Sequence, residues 1–120
     1  MNLSKFKSLS GDASFRKFYR YKNIIIVVSR KETRKNLLIY DAINKILIKN
    51  KIRAPKLISQ NYKLKNIQIE DFGNNTVYKE IKKNNKKKLI YYKKIIKLLN
   101  LVQKIKTQKI KTFLGSIYKV

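Results

Sequence analysis

Ile24-Ile25-Ile26-Val27-Val28-Ser29-Arg30-Lys31-Glu32-Thr33-Arg34-Lys35-Asn36-Leu37-Leu38 is the stretch in which the chain changes its period. Five consecutive β-branched residues read as a strand. Thr33 or Asn36 then caps a helix whose apolar positions Leu37, Leu38, Ala42, Ile43, Ile46 and Leu47 fall on adjoining turns. The polar Asp41, Asn44, Lys45 and Lys49 are expected elsewhere on that helix, which ends near Asn50. On the N-terminal side, Ser4 to Leu9 and Ser14 to Tyr21 flank a Gly-Asp turn at Gly11 and Asp12, so Ile24 to Val28 becomes the third strand of a meander. On the other side Pro55 introduces an extended stretch, Lys56 to Ser59. After a turn at Asn61 to Lys65 comes Asn66 to Glu70, with alternating Ile67 and Ile69. The expected class is α+β: a five-stranded antiparallel sheet with one helix between strands three and four.

Beyond Glu70 the pattern loosens. Asp71 to Asn75 contains Gly73 and reads as a linker, and Thr76 caps a short helix to Ile81. Lys82 to Lys88 is a basic connection. Leu89, Tyr92, Ile96, Leu99 and Val102 then recur at spacings of three and four, giving a strong helix over 89–106. The tail from Thr107 to Val120 has no clear period, although Thr112 to Ser116 can form a turn. No internal repeat is present.

Composition narrows the chemistry. At 120 residues there is room for one compact domain or one lobe of a larger enzyme. The longest aliphatic run, Ile24 to Val28, falls far short of the roughly 20 residues that span a bilayer. Met1 to Lys7 has no apolar stretch of the secretory kind, so a cytoplasmic protein is expected. With neither cysteine nor histidine, disulfides and the usual zinc ligands are excluded. The net charge of +25 ordinarily points to nucleic acid. Here the abundance of Lys, Asn, Ile and Tyr beside three Ala and three Gly is the mix an A/T-rich coding sequence imposes. Lys outnumbers Arg 26 to 5, whereas readers of base edges favour the bidentate Arg fork. No specific nucleic-acid partner is therefore expected.

Two local sequences sharpen the reading. Leu9-Ser10-Gly11-Asp12-Ala13-Ser14-Phe15-Arg16-Lys17-Phe18-Tyr19-Arg20 resembles the element that opens the aminoglycoside phosphotransferase-like proteins, which have a kinase-like fold. The similarity is greatest to the branch of cell-wall amino-sugar anomeric kinases acting on N-acetylmuramate and N-acetylglucosamine. Ala54-Pro55-Lys56-Leu57 and the later Ile67-Gln68-Ile69-Glu70-Asp71-Phe72-Gly73-Asn74-Asn75-Thr76 are similar to that family's proline-led strand and hinge. The resemblance covers roughly Leu3 to Gln103 and implies a kinase-like N-lobe over 1–75. A linker and the first helix of a C-lobe would follow over 76–120.

It also implies ATP, with Mg2+, as the bound nucleotide. Gly11, Asp12, Ala13 and Ser14 would let backbone N–H groups approach phosphate oxygens, since a small-residue turn admits unusual dihedrals and close contact. A plain hairpin turn is the alternative. Arg16 and Arg20 recur with strand alternation and face either phosphates or solvent. Kinase-like lobes hold the phosphates with a strand-three lysine paired to a helix carboxylate. The sequence departs from that pattern, leaving Arg30 or Lys31 as the substitute and Asp41 or Glu32 as the acidic partner. Glu70, Asp71, Phe72 and Gly73 would form the hinge whose backbone meets the adenine edge.

Catalytic groups are another matter. Phosphoryl transfer uses a carboxylate to orient the acceptor and further ligands for magnesium. In the resembling family these lie in the C-lobe, on a histidine- and aspartate-centred motif and a later aspartate. The chain has no histidine, and no Asp or Glu follows Glu80. The expectation is thus an ATP-binding portion, inactive alone, of a sugar or aminoglycoside-type kinase: a split gene with a separately encoded C-lobe, a truncated frame or a fragment. The competing readings are a basic non-enzymatic module binding RNA or anionic surfaces through Lys79 to Lys97, and a decayed gene fragment.

Overall fold

The computed structural model describes residues 3–9, 16–29, 34–106, 109–111 and 117–119. β1 (Lys7–Leu9), β2 (Lys17–Tyr21) and β3 (Ile24–Val28) form an antiparallel meander, and α1 (Arg34–Lys49) follows. β4 (Leu57–Asn61) and β5 (Asn66–Glu70) complete the sheet. The strand order is β1-β2-β3-β5-β4 and every pairing is antiparallel. α2 (Val77–Lys83) and α3 (Lys88–Gln103) come next, then a two-stranded antiparallel ladder of β6 (Lys109–Lys111) and β7 (Ile117–Lys119). The protein is therefore α+β, with a five-stranded antiparallel sheet.

Register explains the core. Phe18 lies opposite Val27 and Val27 opposite Ile67, while Ile25 pairs with Ile69, so these side chains share one face. Leu37 and Leu38 of α1 cover that face, and Tyr62 closes its end from the β4–β5 turn. Each such aliphatic side chain contributes roughly 1.5–3 kcal/mol on leaving water. Ile26 and Val28, on the opposite face, are buried as well, with Ile26 flanked by Tyr19 and Gln68 of the neighbouring strands. Double-sided burial in the central strand is why its sequence is a continuous β-branched run rather than an alternation.

Turn chemistry is unusual for so glycine-poor a chain. Lys22, Lys51 and Lys65 take left-handed φ values of 52°, 60° and 55° at the β2–β3 turn, just after α1 and at the β4–β5 turn. Lysine carries a Cβ penalty there that glycine does not. The C-terminus of α1 is closed by the Asn50 side-chain amide donating to the Ile46 carbonyl at 2.8 Å and the Ile52 N–H to the Leu47 carbonyl at 2.9 Å.

The structure departs from the sequence expectation in four places. Leu3–Lys5 is a one-turn 3-10 helix and the first strand begins only at Lys7, because Phe6 and Leu9 have opposite parity and cannot share a sheet face. β4 slips register between Leu57 and Ser59, which turns Ile58 outward. Asp41 and Asn44, expected away from the apolar positions of α1, are buried beside them, and the Asn44 amide donates to the Pro55 carbonyl at 3.2 Å. The tail, which showed no period, forms β6 and β7. Ile110 of β6 is buried against Ala42 and Ile46 of α1, with Ile105 beside them, so this part of 76–120 packs back on the sheet unit. A three-residue strand is too short to display a period. No helix among the described residues is long and apolar enough to cross a membrane.

Candidate nucleotide cleft

On the α1 side of the sheet, beyond the reach of that helix, β1, β2, β3 and β5 leave a cleft of about 250 Å³. Leu9, Phe18, Ile25 and Ile69 supply an apolar floor, and Pro55 closes one side. Arg20 and the segment Glu70–Gly73 form the polar rim. The floor residues lie on one face because the register places Leu9 opposite Phe18 and Ile25 opposite Ile69.

Two arginines grip the rim. The Arg20 guanidinium meets Asp71 in a two-pronged contact, Nε to Oδ2 at 2.5 Å and Nη2 to Oδ1 at 2.8 Å, and its Nη1 donates to the Asn74 Oδ1 at 2.5 Å. Such forks fix geometry as well as charge. The hydrogen bonds from Arg20, the Gly73 N–H donating to Oδ1 at 2.8 Å, and the nearby positive charge together hold the Asp71 carboxyl below its ordinary value, against a smaller opposing effect of burial. Reciprocally, the Asp71 contact raises the guanidinium's pKa. Gly73 has φ +81°, and an added Cβ would meet nothing within 4 Å, so the constraint on this residue is backbone conformation and not space. Across the segment, Arg53 Nη2 contacts Glu70 Oε1 at 3.0 Å, and the Arg53 guanidinium carbon lies 4.8 Å from the centroid of the Phe72 ring. The Phe72 backbone N–H has no hydrogen-bond partner among the described residues.

Of the residues singled out from sequence, Glu70, Asp71, Phe72 and Gly73 come together on the rim. Arg16 lies elsewhere, its guanidinium 5.6 Å from the ring centroid of Tyr40 on α1. Gly11, Asp12, Ala13, Ser14 and Lys31 lie outside the described residues, as do Arg30 and Glu32. Within β3 the positions facing the α1 side are Ile25 and Val27, both apolar, so the described strand carries no lysine. Asp41 makes an ion pair at 3.0 Å with Lys45 on its own helix. Sequence reasoning did not assign Leu9, Phe18, Ile25, Ile69 or Arg53 to the site. The signal for the first four was strand parity with Phe18, whereas nothing in the sequence pairs Arg53 with Phe72.

Asp41, Glu70, Asp71 and Glu80 are each within 4 Å of a Lys or Arg nitrogen, and no three potential metal ligands gather among the described residues. α2 is capped by Thr76, whose Oγ1 accepts from the Lys79 N–H at 3.2 Å, and Glu80 accepts from the Tyr91 hydroxyl of α3 at 3.5 Å. Neither α2 nor α3 contains a buried residue. Leu89, Tyr92, Ile96, Leu99 and Val102 keep between 39% and 63% of their surface exposed, so the apolar stripe that predicts this helix is only partly covered among the described residues.

No protein-family model, curated protein or solved structure matches the chain.

Proposed function

We propose that this chain is the nucleotide-binding lobe of a kinase-like small-molecule phosphotransferase of the aminoglycoside phosphotransferase type. The single observation that carries the reading is the meeting of the apolar floor and the Glu70–Gly73 segment in one cleft under an antiparallel sheet. Its helix lies between the third and fourth strands, as the sequence resemblance implies. An apolar slot with a few fixed polar groups suits a planar base, and a backbone N–H left without a partner at Phe72 suits a base edge. The phosphates carried on the nucleotide's ribose would find a strongly positive protein. Magnesium and the acceptor hydroxyl need carboxylates that these residues do not offer, so the lobe contributes nucleotide binding and positioning.

Adenosine tests the base site without its charge. Titration to millimolar adenosine is expected to shift the amide resonances of Glu70–Gly73, Phe18 and Ile25, whereas inorganic triphosphate at the same concentration leaves them in place. Unmoved rim resonances at millimolar adenosine would end the nucleotide reading.

A second reading has its own observation. Six lysines stand between Lys79 and Lys88, and ammonium groups lie over exposed rings, Lys82 over Tyr78 at 5.0 Å and Lys88 over Tyr92 at 5.7 Å. Cations interleaved with aromatic faces suit a single-stranded polyanion. On that reading an RNA oligonucleotide shifts α2 and the start of α3 and leaves the cleft untouched.

A further inference from the structure

We infer that Arg53 is a positioning residue for the bound base, acting through the ring of Phe72. This rests on the nucleotide reading of the cleft and adds a group outside it, since Arg53 is not among the cleft's lining residues. Phe72 is the aromatic member of the rim, lines the cleft and is 47% exposed. It follows a strand end and precedes the left-handed Gly73, a place where an unbraced ring samples several rotamers.

The brace is specific. Arg53 follows α1 by four residues and precedes Pro55, so its backbone is tied to the helix end and to the strand entry. Its guanidinium has two contacts, an ion pair with Glu70 Oε1 and the face of Phe72. Glu70 is itself anchored, its N–H donating to the Lys56 carbonyl at 3.0 Å. The chain Lys56–Glu70–Arg53–Phe72 thus carries the position of the β5 end to the ring. A planar fork bonds a carboxylate and covers a ring at once better than an ammonium does. Arg20 holds the Asp71 carboxylate, so the Asp71 side chain and the Phe72 ring of the rim are contacted by different arginines. A base entering the cleft then meets Phe72 already oriented, and the ordering entropy is not lost on binding. The recognised chemistry is a flat aromatic base, because stacking is what a braced phenyl offers.

The test uses the whole chain and adenosine as the uncharged probe. Phe72→Ala is expected to weaken adenosine by about ten-fold, Arg53→Ala by roughly three- to five-fold, and Arg53→Lys by less than Arg53→Ala. The double variant should bind as Phe72→Ala does, because a residue acting through the ring has no further effect once the ring is gone. Without ligand, the Phe72 ring-proton resonances should move in Arg53→Ala. Additive losses in the double variant, or ring resonances that stay in place, overturn the inference while leaving the nucleotide reading standing. Wild-type chain that ignores adenosine overturns both.

Discussion

Leu37 and Ile67, in the unit built from the sheet and α1, are fully buried, whereas Leu89 and Leu99 of α3 keep 63% and 54% of their surface exposed. Both helices are sixteen residues long with apolar side chains at spacings of three and four. The difference is the partner. α1 lies between the sheet face and β6, while among the described residues the main neighbours of α3 are the short α2 and the one-turn 3-10 helix Asn85–Lys87 that joins them. An apolar stripe therefore dictates a helix without dictating what covers it, and a helix this short is marginal in water on its own propensity.

The sharpest contrast to measure is between matched truncations. Leu37→Ala should destabilise the protein by about 3 kcal/mol, as a buried leucine does, whereas Leu99→Ala should stay within about 0.5 kcal/mol. Urea denaturation followed by circular dichroism reads both, and comparable losses would mean that α3 is packed in solution. Ile110→Ala probes the connection between the halves. A loss of about 2 kcal/mol is expected because Ile110 fills a site on α1 beside Ala42 and Ile46. No change would show that β6 is not docked.

The smallest effect concerns Asp71 and depends on pH. Its folded carboxyl lies below the ordinary value of 3.8, so the unfolded chain takes up protons first as pH falls. The stabilisation is complete above that ordinary value and disappears as pH drops through the lower, folded one. Asp71→Asn should therefore be less stable than wild type at neutral pH and lose less stability on acidification. Parallel stability curves from pH 6 to about 2 would show that the contact with Arg20 has no energetic consequence.

Much of this was legible in the residues. The β-branched run Ile24–Val28 marks its strand to the residue, and Thr76 marks the start of α2 by the hydroxyl that caps it. Glu70–Gly73 could be singled out because adjacent acids after an apolar strand are conspicuous in a basic chain. What stayed hidden depends on separation in sequence. Arg20 and Asp71 are 51 residues apart, and Arg53 meets Phe72 only because α1 returns the chain to the end of β5. No local period encodes such a meeting. Asp41 illustrates the same limit from the opposite side: a charged residue reads as solvent-facing until a neighbour, here Lys45, allows its burial.

The partly covered face of α3 also bears on how the protein behaves as a colloid. Contiguous exposed apolar surface ordinarily drives copies together, yet each copy carries a charge of +25. Long-range repulsion acts as a barrier to coagulation, effective while the screening length exceeds the approach distance of two helices. That length shrinks from about 30 Å at 10 mM salt to about 3 Å at 1 M. Dispersal in dilute buffer and association in concentrated salt are the two regimes to be expected of such a surface, with the charge of the flanking lysines opposing contact.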